Sequence, residues 1–93
     1  MTQKDKENMN SILEYIQEIN SHITSLYEDE RIKSTDYIRL TWYGNHLKSN
    51  IENLLQDYAF RNPISNLEVD SVYKQFKNLK KHIDTELEEA VIK

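Results

Sequence analysis

Few side chains in this 93-residue chain are able to do chemistry. Its three histidines, His22, His46 and His82, fall one to each third of the sequence, and there is no cysteine. Two imidazoles share a metal from one helix only when they recur three or four positions apart. None does here, and the nearest such pair is His82 with Glu86. Without cysteine there is no disulfide framework and no thiolate metal site. The sequence also has no nucleophile elbow, no glycine-rich phosphate loop and no paired carboxylates in an apolar setting. No metal, no cofactor and no enzymatic activity are therefore expected. One pair remains: Arg39 and His46, seven residues apart, would share a face of a helix, as acid–base chemistry on a phosphodiester would need.

The composition narrows the partners. Twelve Lys and Arg stand against 16 Asp and Glu, a net charge of −4, so no nucleic acid is expected as a general partner. Hydrophobic residues are 38% and charged residues 30% of the chain. No apolar run approaches the roughly 18 residues of a membrane span, so no membrane partner is expected either. The opening MTQKDKENMN has no hydrophobic stretch behind it, which argues against a secretory signal and makes the cytoplasm the expected compartment. The length suits a single helical domain over residues 1–93. One glycine and one proline exclude a loop-rich or multi-turn β fold.

The elements that must position these residues are helices. Apolar residues recur at helical spacing in three segments. The first stripe is Met9, Ile12, Leu13, Ile16, Ile19, Ile23 and Leu26; the second Tyr37, Leu40, Leu47, Ile51, Leu54, Leu55 and Tyr58, with Gly44 in line. The third is Val69, Val72, Tyr73, Phe76, Leu79, Ile83, Leu87 and Val91. Ser65-Asn66-Leu67-Glu68 reads as a capping box, flanked by Ile64 and Val69 at the staple positions. Pro63 blocks continuation from the segment before. Ser34 or Thr35, with Asp36, gives a weaker start to the second helix. The expected fold is all-α: an up-down-up antiparallel three-helix bundle with helices at about 5–29, 35–60 and 66–91.

The second helix carries a face that the core stripe does not use. At about 100° per residue, Trp42 points away from Leu40, Leu47 and Ile51, with Ile38 beside it and Arg39 and His46 on the same outward side. Helix three instead turns Asp70, Lys74, Lys77, Lys81 and Asp84 outward. Tryptophan and arginine are enriched at binding hot spots, which makes Ile38, Arg39, Trp42 and His46 the candidate partner-binding residues. The alternative is a wide core, with a rotation or a bend at Gly44 burying Trp42. Gly44 has two readings of its own, close approach of a neighbouring helix or a break that turns the chain.

The second of these readings leads to a resemblance. A helical, acidic, cysteine-free chain of just under one hundred residues with Trp42-Tyr43-Gly44 near its middle resembles the WXG100 family. The resemblance implies a helical hairpin turning at this tripeptide, dimerisation and export by type VII secretion. It covers length and tripeptide alone: the expected break falls about ten residues earlier, and Tyr73 is followed four positions on by Lys77 where the family has an acidic residue. The spacing of Arg39 and His46 is similar to the Arg-X(4–6)-His pattern of HEPN ribonucleases, without the polar residue usual after the arginine.

Charge is unevenly spread. Residues 1–30 hold two basic and seven acidic side chains, residues 31–61 five and three, and residues 62–93 five and six. In an up-down-up bundle Glu28, Asp29 and Glu30 share a pole with Asp84, Glu86, Glu88 and Glu89. Carboxylates there oppose the helix dipole, as a solvated end or as a seat for a basic partner. The stripe Lys74, Lys77 and Lys81 is diluted by Asp70 and Asp84. The expected role is a small acidic helical binding module of the inhibitor, antitoxin, immunity or regulator type. Its partner is another protein, with a homodimer as a further option.

Overall fold

The computed structural model describes residues 1–92. Three helices, α1 (Gln3–Glu28), α2 (Ser34–Ala59) and α3 (Asn66–Ala90), form an up-down-up bundle measuring 48 × 19 × 19 Å. Two contacts show that α1 and α3 run parallel. Near the start of both, the Tyr73 hydroxyl donates to Asp5 Oδ1 at 2.6 Å; past the end of both, the Ile92 N–H donates to the Arg31 carbonyl at 2.7 Å. Helix α2 lies antiparallel to both and packs closely against each. The helices begin and end within two residues of their expected positions.

Two of the three starts are capping boxes. Ser65 Oγ accepts from the Leu67 N–H at 3.0 Å while Glu68 Oε2 accepts from the Ser65 N–H at 2.9 Å, as expected. Thr2 and Asp5 build a second box that moves the start of α1 ahead of the expected position, with N···O distances of 3.1 and 3.0 Å. The start of α2 departs from expectation. Its N-cap is Lys33, which has no side-chain cap, and Ser34 is already helical. The cause is packing: Ile32, 3% exposed, is anchored in the core and fixes where the chain enters the helix. Asp36, in the first turn, still complements the dipole.

Both connections leave the preceding helix through a left-handed residue that is not glycine. After α1, Glu30 has φ 60°, its N–H donates to Tyr27 O at 3.0 Å, and the Arg31 N–H donates to Leu26 O at 2.8 Å. After α2, Arg61 has φ 58°, with Arg61 to Tyr58 O at 3.1 Å and Asn62 to Asp57 O at 2.8 Å. Both are Schellman motifs, which satisfy the last carbonyls of each helix.

The core follows the three stripes. Met9, Ile12, Ile16, Ile23 and Leu26 of α1 meet Leu40, Leu47, Ile51 and Leu54 of α2 and Val69, Val72, Leu79 and Ile83 of α3. Gly44 sits inside an unbroken α2, so the tripeptide Trp42-Tyr43-Gly44 forms no turn. A Cβ at Gly44 would lie 3.1 Å from Asn20 Oδ1 and 3.2 Å from Ile16 Cγ2. Close approach of α1 is therefore what the glycine permits, and the break is set aside. Among the described residues no helix is long and apolar enough to cross a membrane.

Candidate contact surface on the central helix

Trp42 follows Leu40 by two residues, about 200° around the helix, so burying Leu40 turns Trp42 outward. Leu40 is fully buried, whereas Trp42 is 58% and Ile38 64% exposed. No rotation or bend brings the indole into the core. It is nevertheless held: the His46 ring, one turn on, lies parallel to it with centroids 5.1 Å apart and 6° between the planes. Tyr43 meets the indole edge-on at 5.6 Å and stacks on its other side against His82 of α3 at 5.2 Å and 8°. Four rings thus run His46, Trp42, Tyr43, His82 from the outer face of α2 onto α3. Such stacking limits the freedom an exposed side chain would lose on binding.

Arg39 turns toward α3. Its Nη2 lies 3.1 Å from Asp36 Oδ1 and its Nε 3.3 Å from Glu86 Oε2, and Glu86 also lies 3.7 Å from His82 Nδ1. The guanidinium is committed to two carboxylates, and the His46 ring is stacked on Trp42. Arg39 and His46 share a face, but two of the three guanidinium nitrogens of Arg39 already pair with carboxylates, which competes with a phosphate.

Of the four candidates, the structure joins Trp42 to His46, leaves Ile38 a turn away on the same exposed face, and draws Arg39 onto α3. Trp42 forms a ridge between two shallow depressions. One, of about 400 Å³, is lined by Ile38, Thr41, Asn45, His46 and Ser49; the other, of about 330 Å³, runs between α2 and α3 over Leu47 and Leu79 to Asn78 and His82. Tyr43, His82 and Glu86 belong to this surface and were not expected there. The spacing of His82 and Glu86 was legible, but nothing in the sequence pointed them at α2.

Glu86 also leaves the acidic pole, where Glu28, Asp29, Glu30, Asp84, Glu88 and Glu89 remain exposed. Lys74, Lys77 and Lys81 are exposed along α3. Among the described residues no group of three or more His, Asp or Glu side chains gathers as a metal site would require.

Fold and surface together define an all-α three-helix bundle with an ordered aromatic patch on the outside of its central helix. Comparison with protein-family models, with characterised proteins and with solved structures finds no match to this chain.

Proposed function

We propose that the protein is a small, non-catalytic binding module of the cytoplasm that acts by protein–protein contact through the outer face of α2. Inhibitors, antitoxins, immunity proteins and regulators work in this way, and the fold and size suit that group. The observation that carries the reading is the exposed Trp42, braced by His46 and Tyr43 and flanked by Ile38. A braced tryptophan between two depressions has the form of an interface anchor. The commitment of Arg39 to Asp36 and Glu86 favours binding over a reaction on a phosphodiester. The exposed acidic pole offers a second, weaker attraction for a partner with a basic surface.

The test is capture of the native partner by wild type and by Trp42→Ala, followed by titration of the purified pair. Loss of a central tryptophan typically costs 2 kcal/mol or more, about thirtyfold in affinity. Lys77→Ala serves as the control, with no expected effect. Retention of full affinity by Trp42→Ala would refute the reading.

A further inference from the structure

Helix α2 packs closely against both neighbours, whereas α1 and α3 meet each other less closely. The seam between α1 and α3 lies on the side of the bundle away from the outer face of α2. Apolar side chains stay half-buried along it: Tyr15 and Ile19 on α1, and Phe76, Leu87 and Val91 on α3. Toward the C-terminal ends of both helices the seam opens into a depression of about 520 Å³. Leu26 and Ile83 are its buried floor, with Ile19, Leu87 and Val91 as its walls. Contacts across the seam bound it at both ends. Before it, Tyr15 meets Phe76 edge to face with centroids 5.3 Å apart; beyond it, the Ile92 N–H donates to the Arg31 carbonyl at 2.7 Å. Ile83, Leu87 and Val91 recur every four residues, a ridge about 12 Å long that matches about two turns of another helix.

The charge around this depression is one-sided. Asp84 and Glu88 border it, and Glu28, Asp29, Glu30 and Glu89 stand exposed at the same pole. Among the described residues none of these carboxylates has an ion-pair partner, and the cations beside them are Arg31 and Lys33. They also stand at the C-terminal ends of α1 and α3, where the helix dipoles favour positive charge. A cation brought here is stabilised by the carboxylates and by the dipoles together.

We infer that the depression is a docking groove for a basic amphipathic helix of a partner protein, lying along the seam as a fourth helix. Its apolar residues, three and four apart, cover Ile19, Leu87 and Val91, as in other helix-in-groove contacts. Its Lys and Arg side chains meet Asp84, Glu88 and the carboxylates of the pole, which sets the choice of partner. An acidic helix would cover the same apolar surface but place like charges together. This groove is separate from the outer face of α2, and the inference does not depend on the reading of that face.

The probe is a labelled helical peptide of about 15 residues, with leucines at i, i+3, i+4 and i+7 and lysines on the flanks. Fluorescence anisotropy with the intact chain should show saturable binding, and the same peptide with glutamate flanks should not bind. Reversing both border charges, Asp84→Lys with Glu88→Lys, should weaken binding at least about tenfold. The fold should tolerate this change, because both residues are exposed and lysine suits the end of a helix. Glu7→Lys with Glu14→Lys, on the outer side of α1, alters net charge equally and should leave binding nearly unchanged, as should Trp42→Ala. In methyl spectra, Ile19, Ile83, Leu87 and Val91 should shift on binding while Ile38 stays in place. Absence of binding, equal binding of the glutamate-flanked peptide, or an equal loss in the two double variants overturns the inference. So does a shift of Ile38 in place of the groove methyls.

Discussion

Trp42 and His46 lie one helical turn apart with their rings parallel, centroids 5.1 Å and planes 6° apart, and neither enters the core. The stack fixes an exposed indole without burying it, and so separates the energetics of the surface from those of the fold. His46→Ala should therefore leave the melting temperature nearly unchanged while loosening the indole. Partner affinity should fall only in part, less than for Trp42→Ala, as titration would show. Complete loss of function with partner binding intact would instead indicate a catalytic histidine.

The left-handed residues Glu30 and Arg61 give a stabilising prediction. For a residue with a Cβ this conformation costs about 1–2 kcal/mol. Glycine avoids that cost but loses about 0.5–1 kcal/mol more in chain entropy on folding. Glu30→Gly and Arg61→Gly should each stabilise by about 0.5–1 kcal/mol, raising the melting temperature by several degrees. A lowered melting temperature would mean that the Glu30 or Arg61 side chain makes contacts worth more than its backbone strain.

Ser65 accepts an amide proton at the head of α3, and no other side chain replaces it there. Ser65→Ala should cost about 1 kcal/mol and lower the melting temperature by several degrees. An unchanged thermal curve would place the start of α3 elsewhere.

The Tyr73 hydroxyl ties α3 to α1 through Asp5, and its donation holds the Asp5 carboxyl below its usual value of 3.8. Burial, and then the bond to Asp5, push the Tyr73 phenol above its usual 10.0. A depressed carboxyl contributes stability that is present above its unfolded value and lost as pH falls through the lower folded one. A raised phenol contributes stability that is present below its unfolded value and lost as pH rises through the higher folded one. Tyr73→Phe should therefore melt below wild type near neutrality, with a gap that narrows below about pH 4 and again above about pH 10. A gap independent of pH would show that the hydroxyl acts through shape alone.

What was legible in the sequence follows from what each signal encodes. Burial has a period, so the stripes located the helices and the outward turn of Trp42. The Ser65 box has its glutamate three residues on, the pattern that marks a start. The Thr2 box uses Asp5 in place of glutamate or glutamine, and so escaped that pattern. The left-handed residues just past α1 and α2, Glu30 and Arg61, are not glycine, the usual sign of that conformation. Ile32 stands outside any stripe, because a connection has no period. Tyr43, His82 and Glu86 joined the surface only once the register of α2 against α3 was fixed, and single-chain spacing does not carry that register.

The most direct measurement is the thermal stability and partner affinity of Trp42→Ala, taken together on the same preparations. The expected result is unchanged helicity and a nearly unchanged melting temperature, with affinity reduced about thirtyfold or more. Leu47→Ala provides the contrast: this core residue is 2% exposed, and its truncation should cost about 2–5 kcal/mol. If Trp42→Ala unfolds the protein as Leu47→Ala should, or binds its partner as tightly as wild type, the outer face of α2 is not the contact surface.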